Sequence, residues 1–191
     1  MLTLLADRIT NYLICKNTIE DDNREIYQYG LEQFLSTALN ILTTLVLGII
    51  FGKIYQSLVF VVAFMVLRSY SGGYHASTSV RCYIFSVISI TAGLSVMKFV
   101  EINRLVCLGL LILSSVIILV LSPIGTANKP LDEIEKIIYK KKVVFVWSIE
   151  VCVALLFIVL NITEIHIAIV LAQTLVDIAL LLGMMQYRSL M

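Results

Sequence analysis

One polar stretch holds the residues able to do covalent chemistry. In LRSYSGGYHASTSVRCYIF, positions 67–85, His75 precedes Cys82 by seven residues, between two long apolar runs. A cysteine nucleophile needs a base to form the thiolate, and donors aimed at the oxyanion that appears when a carbonyl is attacked. His75 is the candidate base and Cys82 the candidate nucleophile. Gly72 and Gly73 leave backbone N–H groups sterically open, and Arg68 and Arg81 bring positive charge that favours a thiolate. The residue types point to acyl chemistry by a cysteine–histidine dyad. The bland reading is a loop in which the two residues are incidental.

Spacing constrains the dyad. In a continuous helix, His75 and Cys82 would share a face but lie about 10.5 Å apart along the axis, beyond hydrogen-bond reach. The segment must therefore turn, and the hydroxyl residues of YHASTS favour caps and turns. Ser77 or Thr78 is expected near a helix start, with Cys82 in the first turns of the helix, where the positive end of the helix dipole also favours a thiolate. A metal site is not expected, because four ligands are needed and only one His and one Cys are local. No cofactor is called for.

The elements that must position this stretch are apolar. The 191 residues are 60% hydrophobic and 14% charged, with a mean hydropathy of +0.98, whereas soluble domains carry about 25% charge. This composition predicts an all-α, polytopic membrane protein, with the lipid bilayer as its surroundings. Its six spans are Leu31–Ile50, Ile54–Leu67, Tyr83–Val100, Leu105–Leu121, Val143–Leu160 and Ile165–Tyr187. The second run is short against the roughly 20 residues of a crossing, so it must tilt, stop early or be extended by polar ends. At the N-terminus, Asp7 and Arg8 interrupt any signal-peptide core. Leu2, Leu5, Ile9, Tyr12 and Leu13 recur at helical spacing, as in an amphipathic helix on the membrane surface or an ordinary packed helix. One integral-membrane domain over 1–191 is expected, with an N-terminal segment at 1–30, a catalytic loop and helix start at 67–83, and a basic loop at 122–142.

With the N-terminus inside, eleven of the fourteen Lys and Arg residues fall on the cytoplasmic side. Lys53, Lys98 and Arg104 fall on the other. This bias puts both termini and the His75–Cys82 loop in the cytoplasm of a cell-membrane protein. The four cysteines are then expected to be free thiols, Cys15 and Cys82 on the reducing side and Cys107 and Cys152 within spans. No basic run suggests nucleic acid as a partner. Glu150 and Asp177 lie within spans, where a carboxylate is usually functional or paired. Glu150 lies seven residues after Val143 and Asp177 ten before Tyr187, so antiparallel helices would bring them to within about 4.5 Å of one depth. They could share a proton, bond to Gln173 or polar groups of other spans, or line a polar cavity.

LRSYSGGYHASTSVRC resembles the signature of the accessory gene regulator B (AgrB) family. The resemblance continues in EIYQYGLEQFL, positions 25–35, and in SPIGTANKPLDEIEKIIYKKK, positions 122–142, and covers nearly the whole chain. It implies a membrane-embedded cysteine endopeptidase acting on an AgrD-like precursor of a quorum-sensing autoinducing peptide. His75 and Cys82 match the family's catalytic pair, and Arg68 and Gly73 match positions associated with its activity. By this resemblance Cys82 forms an acyl-enzyme thioester, the precursor's acidic tail leaves, and an internal thiol or hydroxyl closes a thiolactone or lactone ring. Lys140, Lys141 and Lys142 resemble the family's basic cytoplasmic segment, and Lys129, Lys136, Lys140, Lys141 and Lys142 could receive the acidic tail, although topology alone also places lysines there. A homo-oligomer and a separate pheromone exporter stay open. So do two other classes, a small polytopic peptide transporter and a non-catalytic scaffold, in both of which His75 and Cys82 would be dispensable.

Overall fold

The computed structural model describes residues 2–74, 79–125, 131–160 and 162–188. Among these residues are seven α-helices and no β-strand: α1 (Leu2–Cys15), α2 (Arg24–Phe51), α3 (Ile54–Ser71), α4 (Ser79–Phe99), α5 (Arg104–Leu121), α6 (Glu133–Val159) and α7 (Thr163–Arg188). Helices α2 to α7 are each long and apolar enough to cross a membrane. The protein is a polytopic helical membrane protein, as its composition requires.

The short second run is lengthened at its polar end. Arg68, Ser69, Tyr70 and Ser71 continue the helix past Leu67, so that α3 has 18 residues and is about 27 Å long. Helices α2 and α3 form a tight hairpin, with Gly52 in the left-handed conformation at φ 68° ending α2, the conformation glycine adopts most easily. Helix α6 starts ten residues before its apolar run. Asp132 opens it, and its N–H donates to Glu135 Oε2 at 3.4 Å, half of a capping box. The basic segment 122–142 is thus helical from Glu133 onward, and Lys136 and Lys140–Lys142 stand on α6.

Helix α1 folds back along the polar start of α2. Ala6 and Thr10 are buried there, Arg24 pairs with Asp7 at 3.0 Å, and Thr3 donates to Glu32 at 2.9 Å. Leu4, Leu5 and Tyr12 remain exposed. One stripe of the N-terminal helix therefore packs against protein, and an apolar surface is left over.

Helix α7 is the central post. Ala168 and Ala172 meet Phe60, Ala63, Ile90 and Leu94 of α3 and α4. Val176 and Leu180 meet Leu67, Ile118 and Val143 of α3, α5 and α6. Ile169 and Val170 meet Leu111 and Ala154 of α5 and α6. Lipid tails are as apolar as leucine, so these helices associate mainly through close packing, and small residues at the contacts help.

Candidate active site

The candidate site lies at the basic end of the bundle, where a short segment links α3 to α4. Its first residues are clamped by backbone contacts. Ile124 N–H donates to the Ser71 carbonyl at 3.0 Å, and Tyr74 N–H donates to the Ala179 carbonyl of α7 at 2.8 Å. Gly72 pairs with Ile124 as an isolated bridge, joining the α3–α4 and α5–α6 connections.

Glycine is needed on both sides of this clamp. Gly72 has φ +71° and a side chain there would meet the Ile124 carbonyl oxygen at 2.0 Å, while Gly73 has φ +112° and would meet the Ala179 oxygen at 2.7 Å. From the other side, a Cβ on Gly183 would come within 2.5 Å of Gly73 C and Tyr74 N. The glycines were expected to open backbone N–H groups; what they provide is close approach of the loop to α7 and to Ile124.

Arg68 closes the arrangement. Its Nη2 donates to the Tyr74 carbonyl, and its guanidinium lies within electrostatic reach of Cys82. Tyr74 also packs on Phe85 of α4, with ring centroids 5.6 Å apart. Phe85 is three residues past Cys82, on neighbouring positions of one helix face. Cys82 is exposed and in no disulfide, the fourth residue of α4. Arg81 stands beside it, exposed, in the same turn.

The other proposed residues separate into two groups. Lys140 Nζ donates to the carbonyls of Leu119 and Ser122, the latter at 2.8 Å, so it caps the end of α5. Lys142 lies over the rings of Tyr70 and Tyr139, at 5.3 and 5.8 Å from their centroids, which brings it to the end of α3. Lys141 is exposed. Glu150 and Asp177 are buried inside the bundle, Asp177 two residues before the Ala179 carbonyl that holds Tyr74. His75 and Lys129 lie outside the described residues, as do Ser77 and Thr78. The described part of α4 starts at Ser79, and Gly72–Tyr74 are not helical, so GGYHASTSVRC is not one uninterrupted helix.

Tyr74, Ile124 and Gly183 were missed by sequence reasoning. Gly183 had a signal: Ala179 and Gly183 form a small-xxx-small pair, the pattern that lets a partner approach a membrane helix closely. His166 was passed over too. It is buried in α7, its Nδ1 3.1 Å from the Ile162 carbonyl.

The fold and site thus define a class: a six-span helical membrane protein with an exposed thiol at a helix start beside an arginine-held loop. The family model for Accessory gene regulator B matches residues 6–181, and the chain belongs to that family. It is 31% identical over 140 residues to Putative AgrB-like protein 2 of Clostridium perfringens, covering 70% of this chain and 64% of the relative. It is 25% identical over 138 residues to Accessory gene regulator protein B of Staphylococcus aureus, covering 72% and 73%. It is 27% identical over 117 residues to Protein FsrB of Enterococcus faecalis, covering 60% and 48%. No solved structure matches the chain. Membership places the protein in accessory gene regulation.

Proposed function

We propose that this protein is a membrane cysteine endopeptidase that matures an autoinducing peptide for quorum sensing. Cys82 attacks the carbonyl at the junction between the pheromone part and the tail of an AgrD-like precursor. The C–N bond breaks, the tail leaves with a proton on its new amine, and an acyl-enzyme thioester remains. His75 takes the thiol proton and returns it to the leaving amine. A thiol or hydroxyl of the bound peptide then attacks the thioester, closing the ring and releasing Cys82. Because water competes for the acyl group, the loop must hold the internal nucleophile close and limit water. A cytoplasm-facing site at the bilayer margin suits that need, and the lysine bias supports that orientation.

The observation that carries the reading is the exposed Cys82 in the first turn of α4, three residues before the Phe85 ring that packs on Tyr74 of the loop held by Arg68. Lys140, bonded to two carbonyls, acts in the framework. Lys141 and Lys142 are better placed for the acidic tail. The test is co-expression with a precursor peptide followed by mass spectrometry. Cleavage is expected with the wild type and lost in both Cys82→Ser and His75→Ala, with membrane insertion intact. Wild-type cleavage in either variant overturns the reading.

A further inference from the structure

Four polar side chains from three helices gather inside the bundle. Ser114 of α5, Glu150 of α6, and Gln173 and Asp177 of α7 are 1%, 8%, 0% and 5% exposed. Gln173 Nε2 donates to Glu150 Oε2 at 3.1 Å. Asp177 lies one turn along α7 from Gln173, on the same face, and adjoins Ser114. Each residue keeps one buried oxygen without a hydrogen bond: Ser114 Oγ, Glu150 Oε1, Gln173 Oε1 and Asp177 Oδ1.

Among the described residues, no lysine or arginine forms an ion pair with this group. Arg68 of α3 is directed to the Tyr74 carbonyl, and Lys140 of α6 to the end of α5. On α4 the basic residues are at its ends: Arg81 in the first turn, and Lys98 over the Phe51 and Phe99 rings. Cys107 of α5 and His166 of α7 each lie two turns away, from Ser114 and Gln173 respectively. Among the described residues neither carboxylate forms an ion pair. Burying an uncompensated carboxylate costs several kcal/mol, and intramembrane carboxylates of this kind mark ion or proton sites.

We propose that Ser114, Glu150, Gln173 and Asp177 form an intramembrane site for a small monovalent cation, either sodium or a proton held with water. Four oxygens, two of them from carboxyl groups, are hard ligands suited to such a charge. No three His, Cys, Asp or Glu residues cluster among the described residues to suggest a transition metal. The site is close to the loop clamp, because Asp177 precedes by two residues the Ala179 carbonyl that holds Tyr74, about 3 Å along the axis. It stands independently of the thiol chemistry.

Trp147, the chain's one tryptophan, is a built-in reporter: it is three residues before Glu150 and donates to Ser115 Oγ at 3.1 Å. The full chain in detergent is titrated with sodium chloride against choline chloride at constant ionic strength, and separately from about pH 5 to about pH 9. Melting temperature and Trp147 fluorescence are followed together. A saturable sodium-specific response, lost in Glu150→Gln and Asp177→Asn and weakened at least about threefold in Ser114→Ala, assigns the site to sodium. A sodium-insensitive protein whose fluorescence titrates with pH, and no longer does so in the two isosteric variants, assigns it to the proton. Equal responses to sodium and choline, with no pH titration of the wild type or one that persists in the variants, overturn the proposal. If the isosteric variants do not fold, Ser114→Ala and the wild-type titrations decide between the same outcomes.

Discussion

The two ends of the bundle are fastened in different ways. At the basic end, main chain meets main chain: Ser71, Tyr74, Ile124 and Ala179 are joined by backbone hydrogen bonds, and glycines at 72, 73 and 183 permit the contact. At the opposite end, α3 and α7 meet through side chains. Lys53 pairs with Glu164 at 2.9 Å, with the Glu164 side chain 55% exposed, and Gln56 donates to the same carboxylate. Main-chain contacts fix position to a fraction of an ångström, whereas long exposed side chains adapt. A reaction that must deliver an acyl group to a chosen nucleophile needs the first kind of support, and the exposed thiol stands at that end.

The largest effect that follows is chemical. Cys82→Ala should lower precursor cleavage by about a thousandfold or more, while Cys152→Ala, far along α6, should leave it within about twofold. Equal losses in a cleavage assay would separate the basic end from the chemistry. Next comes the clamp itself. Gly183→Ala forces its methyl against the Gly73 and Tyr74 backbone, which has no flexible end to yield, so the loop must shift. Cleavage should fall by about a hundredfold and the melting temperature should drop. Gly109→Ala on α5 meets nothing within 4 Å and should be neutral or slightly stabilising. If the two alanines behave alike, close approach at Gly183 has no functional weight.

Much of this architecture could be read from the sequence, because helix spans need only hydropathy and length. All six apolar runs became helices. Their polar extensions were less legible: α2 begins at Arg24 and α6 at Glu133, since a helix can continue into water when its residues favour it, and hydropathy does not register that. The candidate thiol was legible because Cys82 stands out in its polar stretch. The clamp was not, since the pairing of Gly72 with Ile124 and of Tyr74 with Ala179 depends on which helices become neighbours, and residue types carry no such address. The carboxylates show the same division. Glu150 and Asp177 were conspicuous in apolar runs and Gln173 was one of the partners considered, but the place of Ser114 beside Asp177 required the packed bundle.

Smaller effects should appear where the clamp is held by one side chain. Arg68→Lys keeps the charge near Cys82 but loses the planar fork that reaches the Tyr74 carbonyl. Cleavage should fall by about tenfold through a lower kcat, and the pH dependence should keep its shape if positioning rather than charge has been lost. A changed pH profile would give Arg68 an electrostatic role toward the thiol instead.

The smallest effect belongs to the opposite end. Lys53→Ala removes an ion pair whose carboxylate is more than half exposed, and such pairs contribute about 1 kcal/mol or less. The melting temperature should fall by only about two to four degrees, and the gap from the wild type should narrow as salt is raised, because exposed charges are screened. Cleavage should stay within about twofold, since nothing in the loop clamp touches Lys53. A loss as large as that of Gly183→Ala would mean that the outer fastening is transmitted along α3 and α7 to the thiol, and the contrast between a rigid end and an adaptable one would have to be abandoned.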